Sequence, residues 1–209
     1  MKKLIIIFLT TILNTMLVAQ NDLAKNILDQ LSLTTKSYKN ITIKFNFTFI
    51  NESQNIKENQ NGKLILNNNN FRLEMNDQTI INNGETQWIF LNDLNEVQIM
   101  EHDPEDDTMN PNKIFSIYEE DYKYNYIELK SENEKKIHLI DLFPKKSNEF
   151  IKINIAVNAD KNQLERIKIY DKNGGNYTYA ITSFITNTNI EPFIFNINEF
   201  PDIEIIDLR

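Results

Sequence analysis

The sequence predicts a mainly β protein: an antiparallel sheet, curled into a barrel or sandwich, with two short helices. Three observations predict it. Apolar and polar residues alternate with period two over ten or eleven short segments. Turn-forming residues separate these segments at hairpin distance, Asn83-Gly84 being the strongest signal. Only two stretches, one near the N-terminus and one in mid-chain, carry helical spacing. Hairpin connections imply antiparallel pairing, and that many twisted strands curl rather than lie flat.

Residues 1–19 read as a cleaved signal peptide and residues 20–209 as a single domain. Lys2 and Lys3 give a basic start, an apolar run follows, and Ala19 is a small residue before Gln20. Thr10, Thr11, Asn14 and Thr15 make that run short and impure for a membrane-spanning helix. Without Lys2 and Lys3 the basic count falls from 22 to 20 against 30 acidic residues, a net charge of −10. An acidic chain without basic runs argues against nucleic acid and against anionic membrane surfaces. The chain has no cysteine. Disulfides, thiolate metal sites and a lipidated cysteine anchor are therefore excluded, and the expected product is exported and soluble.

The first helix starts at Asn21 or Asp22 and runs to about Tyr38, with Leu23, Ile27 and Leu31 on one face beside Ala24 and Leu28. Ile41, Ile43, Phe45, Phe47 and Phe49 then alternate with polar residues in the clearest strand. Residues 51–60 are polar and read as a loop. Gly62 to Leu66 and Phe71 to Met75 are strands around an asparagine turn, and Thr79 to Asn82 leads through Asn83-Gly84 to Thr86–Leu91. Val97 and Ile99 continue the alternation. An acidic loop follows, containing His102, Asp103, Glu105, Asp106 and Asp107, and Pro111 then opens the second helix with Ile114, Phe115, Ile117 and Tyr118. Residues 122–130, 135–142, 150–157 and 162–170 are strands. Tyr177 to Ile185, Ile190 to Ile197 and Ile203 to Leu208 close the chain.

Few residues suggest chemistry. The acidic loop lacks the spaced ligands and turn glycine of a calcium loop and reads as a solvated face. His102 and His138 are the two histidines, neither beside a serine nucleophile, and acids are plentiful without a distinguished pair. Trp88 reads as core or cavity wall rather than a sugar platform, and Tyr122, Tyr124 and Tyr126 as one strand face. No cofactor, metal or catalytic residue is expected. The large soft residues Phe45, Phe47, Phe49, Phe71, Leu73, Met75, Trp88 and Phe90 either fill the sheet's interior or line an apolar cavity, and alternation does not distinguish the two.

Several separate stretches resemble the outer-membrane lipoprotein carrier family, LolA, over nearly the whole mature chain. They are the capped helix, Ile43-Lys44-Phe45-Asn46-Phe47, Gly62-Lys63-Leu64-Ile65-Leu66 followed by Phe71-Arg72-Leu73-Glu74, the run from Asn83 to Phe90, Asn110-Pro111 with Ile114-Phe115, Phe193-Ile194-Phe195, and Phe200 to Asp207. The resemblance implies an incomplete, half-open antiparallel barrel of about eleven strands, with short helices as a lid over an apolar cavity. It implies a periplasmic carrier that takes the acyl chains of triacylated lipoproteins from an inner-membrane exporter to an outer-membrane acceptor. On that basis Phe45, Phe47, Phe71, Leu73, Met75, Trp88 and Phe90 are the expected acyl-cavity walls. Ile114, Phe115, Ile117 and Tyr118 are the expected lid, and a monomer is expected. Two positions depart from the family pattern. The family's Arg-Pro turn is Asn67-Asn68-Asn69-Asn70 here, with Arg72 facing outward by alternation, and Asp202 stands where a glycine is common. The rival readings are a lipid- or lipoprotein-sensing module of the same fold, a carrier of another lipid, and an exported hydrolase.

Overall fold

A computed structural model describes residues 22–102, 111, 115, 119, 122–146 and 149–209. A helix over residues 22–36, α1, precedes the strands β1 (Ile41–Asn51), β2 (Ile56–Asn67), β3 (Asn70–Glu74), β4 (Gln78–Asn82), β5 (Thr86–Leu91) and β6 (Glu96–Glu101). After these come β7 (Tyr122–Glu132), β8 (Lys135–Pro144), β9 (Phe150–Asn158), β10 (Gln163–Asp171), β11 (Gly175–Thr186) and β12 (Glu204–Asp207). All twelve belong to one sheet, in the order β12-β6-β5-β4-β3-β2-β1-β11-β10-β9-β8-β7. The sheet does not close, since β7 and β12 remain its edges. This is the half-open barrel.

Two antiparallel meanders, β1–β6 and β7–β11, are joined where β1 pairs with β11 from Ile41↔Thr186 to Asn51↔Gly175. The last strand is an exception. β12 returns to lie parallel to β6, with Ile205 opposite Val97. Its crossover, residues 187–203, runs over one face of the sheet and is the extended segment expected as a strand at Ile190–Ile197. It joins no strand ladder, and its one regular element is a single turn of helix at Ile197–Glu199.

The other face, here called the inner face, carries α1. Ala24, Ile27, Leu28 and Leu31 are buried against Ile41, Ile43, Leu64, Leu66, Phe71, Ile80, Ile140, Leu142, Ile153, Ile155, Val157, Leu164 and Ile167. Leu23, expected on the buried stripe, is exposed. Lys25 and Asp29 pair on the solvent side of the helix at 2.6 Å.

Residues 51–60 are not all loop. β1 and β2 pair from Ile41↔Leu66 out to Asn51↔Ile56, forming a long hairpin whose far half is largely solvated. Residues 57–59 are exposed, so no apolar alternation marked this part as strand.

Turn geometry explains the scarcity of glycine. Among the described residues, the non-glycine positions with positive φ are Asn55, Asn68, Asn95, Asn133, Glu134, Asn162, Asn187 and Asp202. Asparagine tolerates the left-handed region, so it takes most of the turn positions that glycine would otherwise hold. Asp202, at φ 57°, occupies such a position. The Asn83-Gly84 turn spans three residues rather than two. Gly84 has φ 92°, and Asn83 Oδ1 accepts from the backbone N–H of Glu85 and Thr86.

Gly62 has a different role. A Cβ there would overlap the Phe45 ring, with Cε2 at 2.6 Å, and would lie 2.8 Å from Met75 Sδ. The bare backbone lets the Phe45 ring lie flat across β2. A strand glycine replaced by alanine is ordinarily neutral or stabilising. Gly62→Ala is instead expected to destabilise by about 1–3 kcal/mol through overpacking, read as a lower denaturant midpoint at unchanged m-value.

Candidate acyl-binding face

The strand register decides which side chains meet. Ile43, Leu64, Leu73, Ile80 and Ile89 are successive cross-strand partners through β1–β5, so they share the inner face. Phe45, Phe47, Phe71, Leu73 and Met75 lie on that face, in or against the main core. Trp88 and Phe90 do not. They pair with Ile81, Thr79, Ile99 and Val97 and point to the opposite, outer face. The expectation that all seven line one wall is therefore corrected for these two.

The physical reason lies in β5, whose Trp88-Ile89-Phe90-Leu91 is apolar throughout. A strand covered on both faces reads as a continuous apolar run, and such a run does not reveal its parity. What covers the outer face is the 187–203 crossover. Phe193 and Phe195 bury themselves with Ile81, Phe90, Val97 and Ile99, and Trp88, Ile190, Ile197, Phe200 and Ile203 pack around them. The rings of Phe90, Phe195 and Phe200 are in mutual contact at centroid distances of 4.5–5.3 Å.

The crossover is held by polar bonds along its length. Asn40 and Thr188 exchange two hydrogen bonds, of 2.8 and 3.0 Å. Arg72 donates to the Pro192 carbonyl at 2.9 Å and lies 3.6 Å from a Glu191 carboxylate oxygen. Arg72 thus faces outward, as alternation indicates, and braces the crossover instead of meeting the inner face. Between crossover and sheet lies an open depression of about 600 Å³, floored by Ile81, Phe90, Phe195 and Phe200.

On the inner face, burial is graded. Beneath α1 the side chains are fully buried: Phe71 is 1 % exposed and Leu142 is inaccessible. Farther along β1 and β11 the face is half-buried. An aromatic ladder runs there through Phe45, Tyr179, Phe47, Tyr177 and Phe49, with neighbouring centroids 4.8–6.5 Å apart. Leu73, Met75, Ile89, Ile169 and Ile181 are also partly buried against the main core. Tyr177 and Tyr179 were missed as site candidates because their register against Phe49 and Phe47 spans more than a hundred residues of sequence.

Tyr122, Tyr124 and Tyr126 share the inner face with this ladder. Tyr122 is core, and the other two pack against the core. Tyr126 Oη lies 3.2 Å from His138 Nδ1. Burial raises the Tyr126 pKa above its ordinary value, so the phenol keeps its proton. Burial also pushes the His138 imidazole below its ordinary value.

His102 is engaged elsewhere, with Asn82 Nδ2 2.9 Å from its Nδ1. Asp103, Glu105, Asp106 and Asp107 lie outside the described residues, as do Ile114, Ile117 and Tyr118 of the expected lid. Phe115 of that lid is buried in the main core. Glu119 accepts from Ser32 and Lys36 of α1, both at 3.3 Å. Among the described residues no cluster of histidine and acidic side chains is placed to hold a metal ion. No helix among them is long and apolar enough to cross a membrane.

The family model described as outer membrane lipoprotein carrier protein LolA matches residues 36–198. The chain belongs to this family. A conserved uncharacterized protein of Thermus thermophilus shares the fold, with a TM-score of 0.56 at 11 % identity, over 88 % of this chain and 98 % of its own. A putative outer membrane lipoprotein-sorting protein domain from Vibrio parahaemolyticus gives 0.46 at 10 % identity, over 87 % and 97 %. A LolA superfamily protein from Nitrosomonas europaea gives 0.42 at 11 % identity, over 80 % and 94 %. No curated protein sequence matches the chain. LolA is a family of carriers rather than enzymes, and the half-exposed aromatic ladder lies within the matched residues.

Two outcomes follow from this geometry. Arg72→Ala removes a charge-assisted bond to the crossover and is expected to cost about 1–2 kcal/mol. Amide hydrogens of residues 193–200 should then exchange faster, while those of β9 and β10 remain unchanged. His138 is harder to protonate folded than unfolded. Its contribution to stability is therefore complete above its ordinary pKa of about 6.5 and is lost as pH falls toward the lower folded value. Melting temperatures measured between about pH 8 and pH 5 should fall more steeply for the wild type than for His138→Gln.

Proposed function

We propose that this LolA family member is a periplasmic lipoprotein carrier. It holds acyl chains of triacylated lipoproteins on the inner face of its half-open barrel and conveys them from an inner-membrane exporter to an outer-membrane acceptor. The observation that carries this reading is the aromatic ladder that begins at buried Phe45 and continues through Phe47, Phe49, Tyr177 and Tyr179, which are half-buried although they stand on the same face as a fully packed core. Each methylene withdrawn from water contributes roughly 0.8 kcal/mol, so an acyl chain gains strongly by lying on such a surface. The acyl site in this reading comprises Phe45, Phe47, Leu73, Met75 and Tyr179, with Phe71 beneath α1. Trp88 and Phe90 serve the outer core instead. Phe115 and α1, packed in the main core next to the ladder, serve as the lid side in this reading. The work is binding, not catalysis. Residues 1–19 direct export and are removed, leaving a mature chain that begins at Gln20.

The test is a loading assay on the mature chain with a purified triacylated lipoprotein. A complex of roughly one-to-one stoichiometry in the aqueous phase, absent when the acyl chains are removed, is the expected result. Phe47→Glu should reduce loading at least tenfold with the fold retained, because it places a charge on the acyl path. Trp88→Ala should leave loading within about twofold despite some loss of stability. If Phe47→Glu loads normally and Trp88→Ala does not, the site is on the wrong face. A folded protein that loads no lipoprotein would direct the search to another lipid or to a sensing role.

A further inference from the structure

The outer face keeps a depression that its packing does not use. The crossover buries Phe193 and Phe195 against the sheet, yet about 600 Å³ stays open between residues 191–200 and strands β3–β5. A segment serving only as a cover would close on the surface beneath it. The volume lies within the range of small-molecule sites. Ile81, Phe90, Phe195 and Phe200 form its floor, and Ile194 lines it while 59 % exposed. The rim is one-sided in charge. Lys63 answers Glu74 at 3.2 Å, and Arg72 lies 3.6 Å from Glu191 and donates to the Pro192 carbonyl. Glu199 also lines the depression but, among the described residues, meets no cation; its carboxylate accepts from Asn196 Nδ2 at 2.7 Å. The rim amides are turned to the protein as well, since Asn92 Nδ2 donates to the Asn76 carbonyl at 2.9 Å. What remains toward the depression is one uncompensated carboxylate above an aromatic floor.

We infer that this depression is a second binding site, for a small amphiphilic amine. The ammonium meets Glu199, and the ring or alkyl body lies on Phe90, Phe195 and Phe200. An ammonium brings three donors and no acceptor, which matches a rim whose own donors are engaged. A cation held close to aromatic rings gains further from their negative faces. An anionic ligand of the same shape meets the carboxylate as a like charge, and a neutral one leaves it unanswered. The site stands on the opposite side of the sheet from the aromatic ladder, so it does not depend on the carrier reading.

The experiment titrates the full mature chain, labelled with nitrogen-15, with three probes of one shape: 3-phenylpropylamine, 3-phenylpropan-1-ol and 3-phenylpropanoate. The amine should shift amide signals of residues 72–81 and 191–200 saturably, with a dissociation constant on the order of a millimolar or below. The alcohol should bind roughly fivefold to tenfold more weakly, and the carboxylate more weakly still. Raising the salt from about 20 mM to about 0.5 M should weaken the amine and leave the alcohol unchanged. Glu199→Gln keeps the size of the side chain and an oxygen for Asn196. It should weaken the amine roughly fivefold, toward the affinity of the alcohol, which stays the same. Should that variant fail to fold, the salt series on the wild type makes the same comparison. Equal binding of amine and alcohol, tighter binding of the carboxylate, or a preference for the amine that survives in Glu199→Gln overturns the inference. So does an absence of saturable shifts with all three probes. Shifts confined to Phe47, Tyr177 and Tyr179 overturn it too, because they place the amine on the inner face.

Discussion

Strand β1 is bonded along its whole length on both sides, to β2 from Ile41 to Asn51 and to β11 over the same residues. Without the β11 contact the chain would form two separate meanders, each with exposed edges and half an inner face. The pairing brings together residues more than a hundred positions apart, a large entropic cost met only when the facing side chains bury together. The aromatic ladder of β1 and β11 supplies that burial. The element that closes the fold and the surface proposed to hold cargo are therefore largely the same side chains.

The sheet is two-sided only in part. From β7 to β10 the outer face carries ion pairs such as Asp141–Lys152 at 2.8 Å and Glu132–Arg166 at 3.2 Å. Over β3–β6 it is apolar and needs a cover. The 187–203 crossover provides one, bringing Phe193, Phe195 and Phe200 onto Phe90 and then pairing β12 with β6. That pairing also protects an edge strand that would otherwise present unpaired backbone groups. Arg72 therefore serves the architecture of the outer face, and the β2–β3 turn, Asn67 to Asn70, carries no arginine.

Packing density on the inner face changes along a single strand. Ile41 and Ile43 are locked beneath α1, whereas Phe47 and Phe49 stay half-exposed a few residues later. A core that filled the barrel uniformly would leave no place for a ligand. A barrel with no core would not hold its curvature. α1 divides the face between these demands, with Ala24 and Leu28 packed tightly and the ladder left beyond its reach.

The sequence by itself determined the class of the fold, nearly all of its strands, the first helix and the family, because period-two alternation, turn residues and motif order are local properties. It also placed Phe45, Phe47, Phe71, Leu73 and Met75 together, since their strands alternate strictly between apolar and polar. Only the tertiary structure decided the side taken by Trp88 and Phe90, the partnership of Tyr177 and Tyr179 with β1, and the strand character of residues 56–60. In β5 every residue from Trp88 to Leu91 is apolar, in β2 the residues after Ile56 are polar on both faces, and β11 meets β1 across most of the chain. In each case the deciding contact is long-range register, and a one-residue shift of register exchanges the two faces of a strand without changing its sequence.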